Sequence, residues 1–219
     1  CIRDRSWIDR HTLEWDFPLI LRDWYRGDFG MPWARQRALQ NIGESKNPLQ
    51  RHPYEPAYMF EAGMRPLANY ALRGVAWYQG ESNAHNPDSW RFDLLARSWR
   101  MRTGDISLPF YIVQLSGIER PSWPWLRNTQ RLAQRSVFAT QMVVTSDLGL
   151  RHDVHPPYKR PVGERLAQSM LRHTYGRSTS PVSPEVGQQS SAKDDRGELD
   201  LREAQGLHGS DGQSLRGFE

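Results

Sequence analysis

Two polar loops carry the side chains that chemistry could use in this sequence. The first, Gln79-Gly80-Glu81-Ser82-Asn83, follows an apolar run at residues 72–78. Gln79 and Asn83 bring neutral amide donors, and Gly80 has no Cβ to hold a ligand away. Acyl transfer needs preorganised donors where negative charge develops on oxygen, and this set suits that task. The plainer role for the same amides is to tie the loop to itself. Ser82 looks nucleophile-like, but the G-x-S-x-G elbow requires a glycine where Ala84 stands, so Ser82 is a poor nucleophile. The second loop, His152-Asp153-Val154-His155-Pro156, follows the run at 141–147. A catalytic histidine needs a carboxylate to hold its tautomer and stabilise its imidazolium. Asp153 and Asp147 both lie close enough in sequence to serve His155, and Pro156 restricts the backbone beside it. His152, Asp153 and His155 together would also offer zinc ligands. However, Pro156-Pro157 argues against the helix that usually carries a metal-binding pair. His85 stands just past the first loop. His11, His52, His173 and His208 sit in polar settings without a convergent partner.

These loops need a scaffold that brings them to one place. The apolar runs at 72–78, 110–115 and 141–147 have the length and composition of buried strands. Helical spacing fills the intervals. It appears over 57–70, over 88–102 with Asp88 as cap and Trp90, Leu94, Leu95 and Trp99 as the apolar stripe, over 126–137, and over 158–173 with Val162, Leu166, Met170 and Leu171 facing inward. Strands alternating with helices predict an α/β fold, a mostly parallel sheet with helices on both faces. Parallel strands put both polar loops at the carboxyl edge, where ligands bind in such sheets. Residues 1–50 read as a helix or two joined by an irregular excursion, broken at Gly27, Gly30, Pro32, Gly43 and Pro48. After Tyr175 the composition shifts to Ser, Pro, Gln and Gly, as in a linker. Two short strand-like segments then flank a turn at Ser210-Asp211-Gly212. The expected division is a catalytic domain at 1–176, and a linker with the opening of a β-rich module at 177–219.

Composition narrows the function classes. The 219 residues include 25% charged and 37% hydrophobic residues, enough for a sizeable core under a polar surface. The net charge of +4 is spread along the chain, with no run of five or six like charges, so a solvated surface is expected rather than a nucleic-acid face. A single cysteine, Cys1, excludes an internal disulfide and a cysteine-based zinc site. No apolar stretch has the length of a membrane span. The chain starts at Cys1 without an initiator Met or a visible signal peptide and stops at Glu219 within a strand-like segment, which suggests a fragment or a processed form. Nine tryptophans are many for this length. Most are expected in the core, although Trp7, Trp123, Trp125 and Tyr78 could alternatively stack on sugars in a non-catalytic glycan-binding protein.

Both loops also resemble a known family. Trp77-Tyr78-Gln79-Gly80-Glu81-Ser82-Asn83 is similar to the signature block of the sialate O-acetylesterases, a branch of the SGNH (GDSL-like) hydrolases. Asp153-Val154-His155-Pro156, with Lys159 and Val162-Gly163-Glu164-Arg165-Leu166-Ala167, resembles that family's last block. Pro109-Phe110-Tyr111-Ile112-Val113-Gln114-Leu115 resembles its middle strand, and the segment from Gly206 to Phe218 the start of its C-terminal β region. The resemblance implies a three-layer α/β/α sandwich, no metal or cofactor, hydrolysis of O-acetyl esters on carbohydrates, and a periplasmic or secreted location. It implies His155 as general base, Asp153 as its orienting acid with Asp147 in reserve, and Gln79 in the oxyanion hole shaped by Gly80, Glu81 and Asn83. The family's nucleophile lies in a Gly-Gln-Ser-Asn block, which this sequence lacks. A molecule that truly began at Cys1 is therefore expected to be inactive as an esterase. The particular sugar and the oligomeric state are left open.

Overall fold

The computed structural model describes residues 5–16, 20–26, 32–43, 45–47, 50–87, 90–177, 184–193, 196–202 and 212. Three short strands form a parallel sheet in the order β1-β2-β3: β1 is Val75–Trp77, β2 Phe110–Val113 and β3 Thr140–Val143. Val75 pairs with Phe110, which pairs in turn with Thr140, so the three strands start level, and β1 ends one residue before β2 and β3. The carboxyl ends of all three therefore lie along one edge. Each strand is shorter than its apolar run.

β2 is the centre. Phe110, Tyr111, Ile112 and Val113 are all buried, as expected for a strand covered on both faces. Helix α4 (Phe92–Thr103) links β1 to β2, and α5 (Trp123–Ser136) links β2 to β3. In α4, Phe92, Leu94, Leu95, Ala96 and Trp99 are buried. In α5 the buried positions are Trp123, Leu126, Gln130 and Ala133, a single stripe at helical spacing. This parallel sheet with flanking helices is the α/β architecture that the alternation predicted. Asp88, expected to cap the helix at 88–102, lies outside the described residues, and that helix begins at Phe92 after Arg91.

Most of the tryptophans do go into the core. Trp7, Trp77 and Trp99 meet edge-on or tilted, with ring centroids 6.1, 6.3 and 6.2 Å apart, and the Trp99 indole N–H donates to the Trp7 carbonyl at 2.9 Å. This cluster fastens the N-terminal segment to α4. Asp9 helps: its backbone N–H donates to Ser98 Oγ at 2.9 Å, and its carboxylate takes the Thr12 backbone N–H at 3.1 Å, capping α1 (Arg10–Asp16).

Several local expectations are corrected. The stretch at 27–48, read as irregular, contains an eleven-residue helix, α3 (Pro32–Ile42), after α2 (Ile20–Arg26). Pro32 is its first residue, where a missing N–H costs nothing. The helix expected over 57–70 is a π-helical turn, Phe60–Met64, followed by a 3-10 turn, Arg65–Leu67, since Pro66 cannot continue the α pattern. In α6 (Arg160–His173) Val162 faces inward, but Leu171 is exposed.

The chain divides into two compact units, 1–166 and 167–219. Within the second, β4 (Glu185–Lys193) and β5 (Arg196–Arg202) pair antiparallel, so strand structure begins inside the stretch read as linker. The turn at Ser210-Asp211 and the final strand-like segment lie outside the described residues.

Candidate active site

The loop after β1 is held tightly. Gly80 has φ +149° and is buried, a conformation that disfavours other residues. A Cβ there would also meet Leu126 Cδ2 at 3.2 Å and Gln130 Nε2 at 3.5 Å, so helix α5 seats directly on the loop. The following 3-10 turn, Glu81–His85, buries Asn83 completely. The Gln79 side chain is fixed at both ends. Its Nε2 donates to Asn83 Oδ1 at 2.9 Å, and its Oε1 accepts from the Trp90 indole N–H at 3.2 Å. An amide carries two N–H hydrogens, so the second remains to point at an incoming oxygen. The Gly80 N–H is occupied by the Glu81 carboxylate at 3.1 Å. Asn83 and Trp90 thus orient the Gln79 amide, while Glu81 ties the loop backbone at Gly80. Ser82 and His85, by contrast, are exposed.

Gln130 is the brace that sequence reading missed. Its Oε1 accepts the Leu115 N–H at 3.0 Å, and its Nε2 reaches the Gln79 carbonyl at 3.5 Å. A buried glutamine on an otherwise apolar helical stripe was its only signal in the sequence.

The loops after β2 and β3 are joined to each other. The Gly117 N–H donates to Ser146 O at 3.1 Å, and the Glu119 N–H to Arg151 O at 2.9 Å. Arg151 and Glu119 also pair through their side chains. At the crossing the two backbones approach so closely that a Cβ on Gly149 would lie 2.5 Å from Gly117 N and C. Thr145 is buried and donates its hydroxyl to Gln114 O at 2.5 Å.

His155 lies on this anchored loop. Its Nδ1 is 3.2 Å from Asp153 Oδ1, and its backbone N–H donates to the same oxygen at 2.8 Å. These contacts, the backbone N–H first, hold the Asp153 carboxyl below the usual carboxylate range. The histidine side chain is 84% exposed, so its other ring nitrogen is open to a reactant. Pro156 is buried beneath it. Asp147 takes a different partner. Arg165 grips it with two parallel bonds, 2.7 and 2.6 Å, and spends a third on Val144 O at 2.8 Å. That guanidinium depresses the Asp147 pKa and holds the 3-10 turn Ser146–Leu148 onto α6. Lys159 reaches from the end of the His155 loop to Tyr78, with Nζ 4.8 Å from the ring centroid, so the loops after β1 and β3 meet at one sheet edge. Among the described residues, no three His, Cys, Asp or Glu side chains converge as metal ligands.

The proposed sugar-stacking aromatics separate. Trp123 is buried, with its indole N–H on Ser116 O at 2.7 Å, so it presents no face to a ligand. Trp7, partly buried, packs against the core cluster. Trp125 is 69% exposed and Tyr78 half-buried.

Comparison with known proteins identifies a family. Residues 45–172, which hold both loops and the whole parallel sheet, match the family described as carbohydrate esterase, sialic acid-specific acetylesterase. The human sialate O-acetylesterase is 28% identical over 197 residues, covering 75% of this chain and 37% of that protein. The rat sialate O-acetylesterase is 30% identical over 224 residues, covering 75% and 41%. A solved carbohydrate acetylesterase from Xanthomonas citri aligns with a TM-score of 0.58 at 30% identity, over 75% of this chain and 39% of that one. The chain thus spans about two fifths of the length of these relatives. That family match spans more than half of the chain, which belongs to the sialate O-acetylesterase family of carbohydrate esterases.

Proposed function

We propose that this chain supplies the histidine and oxyanion half of a carbohydrate O-acetylesterase. The observation that carries the reading is the His155–Asp153 contact of 3.2 Å, on the same sheet edge as the oriented Gln79 amide. Asp153 accepts a hydrogen bond from the Nδ1–H of His155, which leaves Nε2 unprotonated and ready to act as base. Nε2 removes the proton from a serine hydroxyl as that oxygen attacks the acetyl carbonyl. The developing oxyanion takes the free N–H of Gln79. The imidazolium then protonates the departing sugar oxygen. Water, activated in the same way, cleaves the acetyl-serine and releases acetate. The serine belongs to a Gly-Gln-Ser-Asn block that these 219 residues do not contain, so turnover is to be measured on protein that includes it.

His155→Ala in that protein should lower kcat on an acetylated sugar by about three orders of magnitude or more. Its circular dichroism and melting should remain close to the parent, because the side chain is largely exposed and its side-chain contact is with Asp153, itself exposed. Undiminished turnover would remove His155 from the mechanism.

A further inference from the structure

Helix α5 carries one cation with no evident structural use. Arg127 lies four residues after Trp123 and three before Gln130, on the side of the helix that faces the Gln79 loop. Its neighbour Leu126 is the side chain that closes on Gly80. Its own carbonyl accepts Gln114 Nε2 at 3.1 Å, which ties this turn to the carboxyl end of β2. The side chain is partly buried and its Nε is sealed from solvent, yet among the described residues that N–H has no hydrogen-bond partner. Nor does an acid stand opposite: burial alone acts on the guanidinium and pushes its pKa down. Two other buried arginine nitrogens, Arg5 Nε and Arg51 Nη2, also lack a hydrogen bond, but both of those residues have partners elsewhere. Arg165 holds Asp147, Arg51 holds Glu55 and Glu61, and Arg100 holds three backbone carbonyls. A desolvated cation without a partner is unfavourable unless a partner arrives.

We propose that Arg127 is a specificity-determining residue of this site, a guanidinium that receives the carboxylate of an acidic sugar. The chemistry of the group selects the ligand. Guanidinium is a planar fork of donors that matches a carboxylate bidentately, and it gains most when water is excluded. The esterase reading, on which this assignment rests, requires the acetylated sugar to sit at the sheet edge where Arg127 lies. A carboxylate on the same sugar residue would then be an anchor within one ring's reach of the ester. Nonulosonic and hexuronic acids share this carboxylate.

Titration of the chain with N-acetylneuraminic acid, its methyl ester, galacturonic acid and acetate, followed by calorimetry or ligand-observed NMR, tests the assignment. The free sugar acid should bind at least about tenfold more tightly than the methyl ester, which has the same shape without the charge. Arg127→Gln should abolish that difference, and Arg127→Lys should restore part of it. Preference for one sugar acid over the other assigns the source of the carboxylate. Equal binding of acid and ester by the parent chain overturns the proposal, and so does an equal loss of both in Arg127→Gln. Acetate binding as tightly as either sugar acid overturns it too, by assigning Arg127 to the product. If Arg127→Gln does not fold, the acid-to-ester ratio of the parent chain decides alone. Turnover of a neutral acetyl ester by the serine-containing protein is a separate measurement. Its absence would refute the esterase reading without touching carboxylate binding.

Discussion

Gly149→Ala isolates the crossing that anchors the histidine loop. Gly149 has φ −77° and ψ 169°, so its backbone conformation is open to any residue and alanine meets no torsional penalty. The cost comes from the close approach alone. A Cβ would collide first with Gly117 O and would also lie 2.5 Å from Gly117 N and C, against roughly 3.4 Å for ordinary contact, so the two loops must part by more than about 1 Å. These are backbone atoms, which cannot rotate aside as a side chain could. Overpacking of this kind costs about 1–3 kcal/mol. Parting the loops also strains the Gly117 N–H bond to Ser146 O, worth about another 1 kcal/mol. The expected destabilisation is about 2–4 kcal/mol, a large share of a domain's ordinary stability. Gly163→Ala is the matched control. Gly163 lies in α6 with nothing within 4 Å of its Cβ direction, so alanine should stabilise by about 0.5–1 kcal/mol. Urea unfolding followed by tryptophan fluorescence reads both, with the m-value checked for constancy. Opposite signs are expected. A Gly149→Ala variant within about 0.5 kcal/mol of the parent would refute the idea that this crossing is rigid, and with it the account of how His155 is held.

Three further outcomes follow from other contacts. Gln79→Ala should lower kcat about 10²- to 10³-fold in serine-containing protein, as for loss of one oxyanion donor; a wild-type rate would return Gln79 to a purely structural role. Arg100→Met should destabilise by about 2–4 kcal/mol in the same urea assay, since the buried guanidinium serves the Leu108, Phe138 and Ala139 carbonyls and their loss leaves acceptors unpaired; a change below about 0.5 kcal/mol would mean water replaces it freely. Asp147→Asn tests the Arg165 pair through pH. The folded-state pKa of Asp147 is depressed, so its stabilisation is present above the unfolded value near 3.9 and is lost as pH falls through the lower folded value. The parent should therefore lose more stability than Asp147→Asn below about pH 4, by about 0.5–1 kcal/mol for a pair this exposed. Superimposable acid limbs would show that the pair contributes nothing.

Much of the scaffold was legible in the sequence because its signals are local. The runs at 72–78, 110–115 and 141–147 announced strands by length and composition, and Trp90, Leu94, Leu95 and Trp99 announced the buried face of α4 by spacing. The His155–Asp153 contact could also be named in advance, because two residues of chain cannot carry the groups far apart. Irregular helices were less legible. Pro32 opens α3 although a proline reads as a break, and Phe60–Met64 widens into a π turn that no side-chain period signals.

Sequence by itself determined that strands alternate with helices, that two polar loops end two of the strands, and which residue types those loops carry. Only the tertiary structure decided which of those residues work together. Asp147 and Asp153 were equal in sequence, and Arg165, eighteen residues on, takes one of them away. Gln79 and Asn83 were merely two amides until Trp90 fixed one end of Gln79 and Gln130 braced its backbone from 51 residues away. Trp123 was available for sugar until the core closed over it, while Arg127 looked like any surface arginine until burial sealed its Nε without a partner. The reason is physical. Periodicity and turn chemistry act over a few bonds and are written in the chain. Burial and the choice among competing partners depend on which distant segments the sheet brings together, and that is settled only when the core closes.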